Sequence, residues 1–208
     1  MAYLSFDASV KVHANGNWHS TKTDKNGNKK SGNGGLKGLI AHLAREADKA
    51  DGIEVEHSNP NIDPELTENN QSFYKDENGE WQPVRHSSQL IDSVQRRIDE
   101  VQASSKKPIR HDACIVRPIV TQFGTEDMDE EEEERLIEAQ VEFMEQEFGV
   151  DNITGFAIHR DETSMHIHWL MTPVTYRIER ECLSKTPVVD DDGQPVLGKD
   201  GKQKIKKK

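Results

Sequence analysis

The sequence predicts an α+β fold in which antiparallel strands and amphipathic helices share one core. First, apolar and polar side chains alternate in residues 4–12 and 154–171, a pattern typical of half-buried strands. Second, apolar residues recur at helical spacing in residues 36–48, 88–102 and 129–148. Third, the polar segment Asp161–Ser164 has hairpin length, so the strands on either side of it should pair antiparallel.

The chain begins with a strand and continues into a polar segment. In residues 4–12 every second side chain is apolar and these side chains share one face, which predicts a single half-buried strand. Residues 14–35 are rich in Asn, Gly, Lys and Ser, which predicts a flexible basic loop. A solvated loop and an arm that follows a DNA phosphate backbone are both compatible with this composition. The lysines concerned are Lys22, Lys25, Lys29 and Lys30.

Residues 36–48 form the first predicted helix. Leucines, an isoleucine and an alanine make one apolar stripe along it. His42 and Arg45 are three residues apart and should be neighbours on the other side of the helix. A histidine beside an apolar stripe is usually structural, so this position alone assigns it no chemistry.

The middle of the chain alternates between turns and regular structure. Residues 57–67 contain Pro, Asn and Asp, which predicts a loop, and residues 76–81 predict a turn or hairpin tip. Residues 88–102 predict a second amphipathic helix. Residues 114–121 predict a strand apolar enough to be central, although Pro118 favours an edge position or a bulge.

The acidic balance of the chain comes from one segment. The formal net charge is −11, and residues 126–147 hold twelve acids and one base, so the rest of the chain is balanced. Acids at the start of the third predicted helix, 129–148, complement its dipole. We expect a solvated face turned away from nucleic acid, with an acidic partner-binding helix as the alternative. Gly149 provides the helix stop.

Three histidines converge on one face of the last predicted hairpin. Residues 154–162 and 165–171 are its strands, and antiparallel pairing sets His159 opposite His166, with His168 two residues further along. Three imidazoles with an open position are typical of a catalytic metal site. Three unrelated histidines are the alternative, and their clustering within ten residues disfavours it.

Residues 159–168 resemble the metal motif of the Mob/Pre plasmid relaxases, the MobV-type branch of the HUH endonucleases. Met165 stands where that family usually has proline. The resemblance implies a central antiparallel β-sheet flanked by α-helices, with His159, His166 and His168 as metal ligands. Asp161 or Glu162 would then orient a ligand or accept a proton.

The resemblance continues through two earlier segments. Residues 34–45 resemble the first motif of the family, which implies that His42 is the nucleophile and that Arg45 holds a phosphate. Leu43 stands where the family often has asparagine. Residues 57–67 resemble the second motif through their Glu-Leu-Thr ending, which makes Glu65 a candidate DNA-contacting residue.

The implied activity is metal-dependent, strand-specific nicking of DNA at a plasmid transfer origin by transesterification, which leaves a covalent 5′-phospho-enzyme adduct. The implied partners are single-stranded or supercoiled plasmid DNA, with relaxosome and conjugative-machinery proteins. Mn²⁺ or Mg²⁺ would be the working ion, although three imidazoles bind Zn²⁺ more tightly by the usual affinity order. An HUH replication initiator or transposase, or a non-catalytic metal-stabilised DNA-binding module, is the alternative.

Most HUH enzymes use a tyrosine nucleophile, so the tyrosines compete with His42. They are Tyr3, Tyr74 and Tyr176. Tyr3 falls on the polar face of the first strand and Tyr74 in a predicted loop, and neither has a motif around it. We therefore favour His42.

The predicted domain organisation is a catalytic domain at residues 1–185 and a polar, basic extension at residues 186–208 that would lead into a longer protein. A further strand is expected at residues 175–182. No apolar stretch approaches bilayer length, and residues 1–12 lack the features of a signal peptide. Two distant cysteines favour reduced thiols in a cytoplasmic protein.

Overall fold

The computed structural model of the chain describes residues 4–23, 25–32, 34–53, 59–124 and 128–175, together with positions 190, 194 and 196. The chain divides into two compact units, Met1–Val174 and Thr175–Lys208. In the second unit, the Asp190 carboxylate accepts a hydrogen bond of 2.8 Å from the backbone N–H of Gln194. The strand predicted at 175–182 and most of the basic extension lie outside the described residues.

Nine strands of the first unit form one antiparallel sheet, which confirms the predicted fold class. The order across the sheet is β4-β3-β2-β7-β9-β8-β5-β6, and β1 also pairs with β7. The strands are β1 Leu4–Asp7, β2 Val10–His13, β3 Trp18–Thr23, β4 Lys29–Gly32, β5 Gln71–Lys75, β6 Trp81–Pro83, β7 Cys114–Phe123, β8 Ile153–His159 and β9 His166–Met171.

Helices cover both faces of this sheet. The described α-helices are α1 Gly35–Leu43, α2 Arg45–Ala50, α3 Ser88–Ser104 and α4 Glu130–Phe148, and short 3₁₀ turns lie at Thr67–Asn69 and Val150–Asn152. One core cluster joins α1, α2 and α3 to Ala157 and Leu170. The other joins α4 to Ile158, Ile167 and Trp169. Because neighbouring residues of β8 and β9 point to opposite faces, these two strands contribute to both clusters.

The interior position of β8 explains its burial. All seven of its residues are buried, since strands flank it on both sides and helices on both faces. Helix α3 approaches it closely at Gly155, where a Cβ would meet the Leu90 side chain and lie 3.1 Å from the carbonyl oxygen of Phe73. Ser93 of α3 donates a 2.7 Å hydrogen bond to the Thr154 carbonyl.

The first predicted strand is two strands, and this break accounts for Pro118. β1 and β2 separate at Ala8 and Ser9, where the Asp7 carboxylate accepts a 2.9 Å hydrogen bond from the N–H of Ser9. Both strands pair with β7. On either side of the break, the last paired residues of β7 are Val120, which faces β1, and Val116, which faces β2. The predicted edge position of Pro118 is wrong, because β7 lies inside the sheet. Pro118 instead lies opposite the break between β1 and β2, where β7 pairs with β9 alone among the described strands.

The predicted flexible loop at residues 14–35 is wrong over most of its length. Strands β3 and β4 form a hairpin that extends the sheet, with a turn in which Gly27 has φ +81°. Trp18 packs against the core on the α1 side, and Ser20, two residues on, is buried. The alternation of a half-buried Trp18 and a buried Ser20 with the exposed His19 is too weak to distinguish this strand from a loop in sequence.

The helices agree with prediction except at one junction. The predicted helix 36–48 breaks at Ala44, whose φ of −104° and ψ of 33° separate α1 from α2. Helix α4 has the expected N-terminal acids, and Asp129 and Glu132 form a reciprocal capping box. The turn predicted at residues 76–81 is confirmed between β5 and β6, whereas Tyr74 lies on β5 rather than in a loop. Among the described helices, none is both long and apolar enough to cross a bilayer.

Candidate metal centre and nucleophile

Four imidazoles meet on the α1 side of the sheet. His159 and His166 are cross-strand partners in β8 and β9, and His168 pairs with Ala157 on the same face. The ring centroids are 5.3 Å apart for His159–His166, 4.7 Å for His159–His168 and 4.8 Å for His166–His168. His42 of α1 completes the group, 5.2 Å from His159 and 5.0 Å from His168. The predicted hairpin register and the convergence of its histidines are confirmed.

Backbone carbonyls orient two of these rings. His166 Nδ1 lies 2.9 Å from the Ser164 carbonyl oxygen, so this nitrogen carries the proton and donates it. His166 Nε2 is then free to accept, and it lies 3.0 Å from His168 Nε2. His159 Nε2 lies 3.1 Å from the Leu43 carbonyl oxygen, which leaves Nδ1 as the lone-pair nitrogen of that ring.

The donor atoms fit a divalent cation. In each of two groups of three, the candidate ligand atoms lie within 4.8 Å of one another, and His159 belongs to both. The groups are His42, His159 and His168, and His159, Glu162 and His166. The predicted ligands His159, His166 and His168 are thus divided between the two groups, and imidazole and carboxylate donors both occur in protein metal sites.

Burial keeps the central imidazoles neutral. It lowers the pKa of His159 to about 2, and the neighbouring Arg45 cation acts in the same direction. Burial also lowers the pKa of His168 well below its usual value, with the adjacent imidazole of His159 contributing. Because a metal ligand must be unprotonated, both rings are in the binding-competent form at neutral pH.

Arg45 ties the α1–α2 junction to the turn between β8 and β9. Its side chain is 1% exposed, and it donates to both oxygens of Asp161, at 2.8 Å from Nε to Oδ2 and through Nη2 to Oδ1. Nη2 also lies 3.0 Å from Glu162 Oε1, and Nη1 donates to the His42 carbonyl at 2.8 Å. Burial raises the pKa of Asp161, but hydrogen bonds and charge from Arg45 outweigh it and lower this pKa to about 2.

The sequence placed Arg45 on the polar side of a continuous helix, ready to hold a phosphate, and that placement is wrong. The break at Ala44 redirects the residue into the protein, where Asp161 and Glu162 bind it. Nη1 also lies 3.1 Å from His159 Nδ1. In this structure Arg45 is therefore a buried link between the α1–α2 junction and the connection between β8 and β9.

The loop that precedes β5 donates hydrogen bonds to the carboxylates of Asp161 and Glu162. Thr67 donates a 2.9 Å hydrogen bond to Asp161 Oδ2, and the Asp63 N–H donates to the Asp161 carbonyl at 2.8 Å. Asn59 donates to Glu162 Oε2 at 2.9 Å. The roles of Asn59 and Thr67 were not predicted, because their Pro-, Asn- and Asp-containing segment indicated only a loop. Asp161 is thus fully engaged, and Glu162 is the carboxylate that faces the imidazoles.

The other candidate residues lie away from this cluster or outside the described residues. Lys25, Lys29 and Lys30 are exposed on the β3–β4 hairpin, where Lys22 forms an ion pair with Asp7. Glu65 is exposed in the loop that precedes β5, while His57 and Ser58 at the start of that motif lie outside the described residues.

The tyrosine that the structure describes is engaged elsewhere. The Tyr74 hydroxyl accepts a 3.0 Å hydrogen bond from Gln89, and the ring packs against the core on the α1 side. Tyr3 and Tyr176 lie outside the described residues. The acidic helix α4 lies on the face of the sheet opposite to the imidazoles, and Arg160 binds its Glu133 at 2.7 Å.

Comparison with known proteins gives a consistent result. A family model described as plasmid recombination enzyme, Mob_Pre, matches residues 26–192. A plasmid recombination enzyme from Bacillus sp is 25% identical over 142 residues, which are 67% of this chain and 30% of that protein. The type 1 enzyme from Staphylococcus aureus is 36% identical over 87 residues, 40% of this chain and 21% of that protein. This chain therefore spans less than a third of the curated relatives it matches.

A solved structure shares the fold. The Mn-bound crystal structure of the MobM relaxase domain (MOBV; Mob_Pre), in complex with plasmid pMV158 oriT DNA, superposes with a TM-score of 0.53 at 19% identity. The match covers 83% of this chain and 71% of that domain.

Proposed function

The chain belongs to the plasmid recombination enzyme family, Mob_Pre, and from that premise we propose that it is a plasmid mobilization relaxase. Its activity is site- and strand-specific nicking of plasmid DNA at a transfer origin. The observation that carries the proposal is the position of His42, whose ring lies 5.2 Å and 5.0 Å from two imidazoles of a metal-type cluster. A nucleophile beside a cation site is the arrangement that phosphoryl transfer requires.

The substrate is single-stranded or supercoiled plasmid DNA. The MobM relaxase domain, which has the same fold, was crystallised with oriT DNA, and this supports an origin-type substrate here. The exposed lysines of the β3–β4 hairpin provide positive charge for a phosphate backbone. The acidic helix α4 lies on the opposite face, where its charge does not repel DNA at the imidazole cluster.

A divalent cation would be held by His159, His166 and His168, with Glu162 within reach. The Mn-bound state of the MobM structure supports Mn²⁺ as the ion. When bound, the cation withdraws charge from the non-bridging oxygens of the scissile phosphate. The neutral state of the buried rings and the carbonyl that orients His166 prepare the site for it.

The chain's own residues perform the remaining tasks. A neutral imidazole nitrogen of His42 attacks phosphorus, so that a P–N bond forms and the P–O3′ bond breaks. The departing O3′ takes a proton from solvent and becomes a 3′ hydroxyl, while the phosphorylated imidazole loses its remaining N–H proton to solvent. The 3′ hydroxyl can later reverse the reaction. Arg45 fixes the backbone of His42 through its 2.8 Å hydrogen bond to the carbonyl and thereby positions the ring.

The experiment that tests this function traps the covalent product. A supercoiled plasmid that carries the DNA flanking the gene is incubated with the protein and Mn²⁺, and the nicked, protein-linked product is isolated. We expect an adduct with the native protein and with Tyr74→Phe, and none with His42→Ala that still binds DNA and metal. The adduct should be acid-labile, because a phosphoramidate hydrolyses in mild acid whereas a phosphotyrosine does not.

Two results would contradict the proposal at different levels. An acid-stable adduct that maps to a tyrosine peptide would overturn the His42 assignment and leave the metal site untouched. No covalent product from the native protein on any origin-bearing plasmid would favour a metal-stabilised DNA-binding module instead.

A further inference from the structure

The two oxygens of the Glu162 carboxylate have different partners. Oε1 lies 3.9 Å from His159 Nδ1 and 3.9 Å from His166 Nε2, so it faces the two lone-pair nitrogens equally. It also accepts from Arg45 Nη2 at 3.0 Å. Oε2 points the other way and accepts a 2.9 Å hydrogen bond from Asn59 Nδ2. One oxygen is thus turned toward the imidazoles because the other is held.

The orientation of the Asn59 amide is fixed by its own loop. Its Oδ1 accepts a 3.1 Å hydrogen bond from the N–H of Asn61, and its carbonyl oxygen lies 3.4 Å from the N–H of Ile62. A flipped amide would place an NH₂ group against the Asn61 N–H and an oxygen against Glu162, so both contacts would be lost. The turn therefore presents a donor, and only a donor, to the carboxylate.

Asp161, the neighbouring carboxylate, shows how a cationic partner would act on Glu162 in place of Asn59. Asp161 is bound through both oxygens by Arg45 and through Oδ2 by Thr67, so its charge is neutralised inside the protein. A cationic partner in place of Asn59 would neutralise Glu162 in the same way. A neutral amide instead anchors Oε2 without bringing a second cation to Glu162, so the cation at this carboxylate is Arg45, which Oε1 shares with Asp161.

We propose that Asn59 is a positioning residue that holds Glu162 in the orientation in which Oε1 serves as a donor to the metal. This role rests on the proposed function, since it requires a cation at the imidazole cluster. It also gives the loop at residues 59–67 a task at the site that does not depend on contact with DNA. Its consequence is measurable as metal affinity, without any DNA substrate.

The test is a double-mutant cycle on Mn²⁺ binding, read from the electron paramagnetic resonance signal of free Mn²⁺. The proteins are the native chain, Asn59→Ala, Glu162→Ala and the double variant. We expect Asn59→Ala to weaken Mn²⁺ binding about 10-fold, the size typical of a lost partner of a metal ligand. In the Glu162→Ala background the same change should have no further effect, because Asn59 acts through that carboxylate.

Matched variants keep the result interpretable. Asn61→Ala removes an exposed side chain from the same turn but keeps the N–H that Asn59 accepts from, so it should bind Mn²⁺ like the native chain. Asn59→Ser retains an acceptor for the turn but is too short to reach Glu162, and it should behave like Asn59→Ala even if the alanine variant folds poorly.

The outcomes separate this inference from the proposed function. Native-like Mn²⁺ affinity in both Asn59 variants would overturn the role of Asn59 and leave the relaxase proposal standing. An equal loss in the native and Glu162→Ala backgrounds would show a general effect of the loop and would also overturn it. Failure of the native chain to bind Mn²⁺ would overturn both.

Discussion

Two hairpins of the same sheet, β3–β4 and β8–β9, both carry polar side chains and have opposite environments. β8–β9 lies between β7 and β5, and every residue of β8 is buried. β3–β4 lies at one end of the sheet, and its lysines are exposed. In the interior hairpin each imidazole and carboxylate described above has a partner within the protein, because burial without one is costly. In the outer hairpin, water solvates the charges.

The environment of a polar side chain depends on its position in the sheet. Burial shifts the pKa of His159 and His168 downward, so these rings remain neutral ligands at physiological pH. The outer lysines are exposed, so salt screens their interactions with other charges. The proposed chemistry therefore requires the interior hairpin, and the proposed DNA contacts require the outer one.

The largest expected effect comes from removing an interior imidazole. His168→Ala and His166→Ala should each reduce Mn²⁺-dependent nicking by at least about 100-fold, since direct ligands matter at least as much as their partners. His19→Ala, which removes an exposed imidazole from the outer hairpin, is the matched control and should nick normally. Full nicking by His168→Ala with unchanged metal content would defeat the metal assignment, and loss of folding would indicate a structural ion.

The second effect contrasts two ion pairs. Arg45→Met leaves Asp161 buried without its cation and should lower the free energy of unfolding by about 3–5 kcal/mol. Lys22→Met breaks the exposed pair with Asp7 and should change it by less than about 1 kcal/mol. Urea denaturation of both variants measures the contrast. Similar values for the two would mean that burial does not distinguish the hairpins energetically.

The third effect is a pH dependence that belongs to the interior site. The pKa of Asp161 is lowered to about 2 in the folded protein, against about 3.9 in an unfolded chain. A depressed carboxyl pKa contributes stability that is fully present above the unfolded value and is lost as pH falls through the folded value. The native chain should thus lose about 2 kcal/mol more than Asp161→Asn between about pH 5 and about pH 2.

Chemical denaturation across that pH range measures the difference between the native chain and Asp161→Asn. Parallel curves for the two proteins would show that Asp161 titrates normally and that Arg45 does not hold its charged form.

The smallest effect is electrostatic and lies on the outer hairpin. Replacing its four lysines with glutamine should flatten the dependence of log affinity for single-stranded DNA on log salt by about 2 to 3, at about 0.7 per phosphate contact. Lys22 should contribute least because Asp7 already binds it. Lys106→Gln with Lys107→Gln, exposed after α3, is the control. An unchanged slope would mean that the hairpin is merely solvated.

The site was predictable where its geometry is local. His159, His166 and His168 fall on one face because strand periodicity and a short connection determine the register, and the structure has that register. The N-terminal acids and the glycine stop of α4 are likewise properties of neighbouring residues. His42 entered through a motif resemblance, since its helical position alone gave no chemical signal.

What could not be predicted depends on distant partners. Arg45 is buried because of Asp161, which is 116 residues away in sequence, and a helical pattern contains no record of that contact. Asn59 binds a carboxylate 103 residues away. The edge position predicted from Pro118 was wrong because the break that accommodates this proline lies between β1 and β2. The sequence of β7 itself contains no sign of that break.

The described sheet ends at β4 on one side and at β6 on the other, and both end strands disfavour the addition of a strand from another molecule. Unpaired backbone groups of an end strand can recruit a strand from a second chain and begin aggregation. At one end β4 carries Lys29 and Lys30, and like charges on two approaching copies repel. At the other end β6 is three residues long and finishes at Pro83, which lacks an N–H. The lysines of β4 thus help keep separate chains apart, whatever they contribute to DNA.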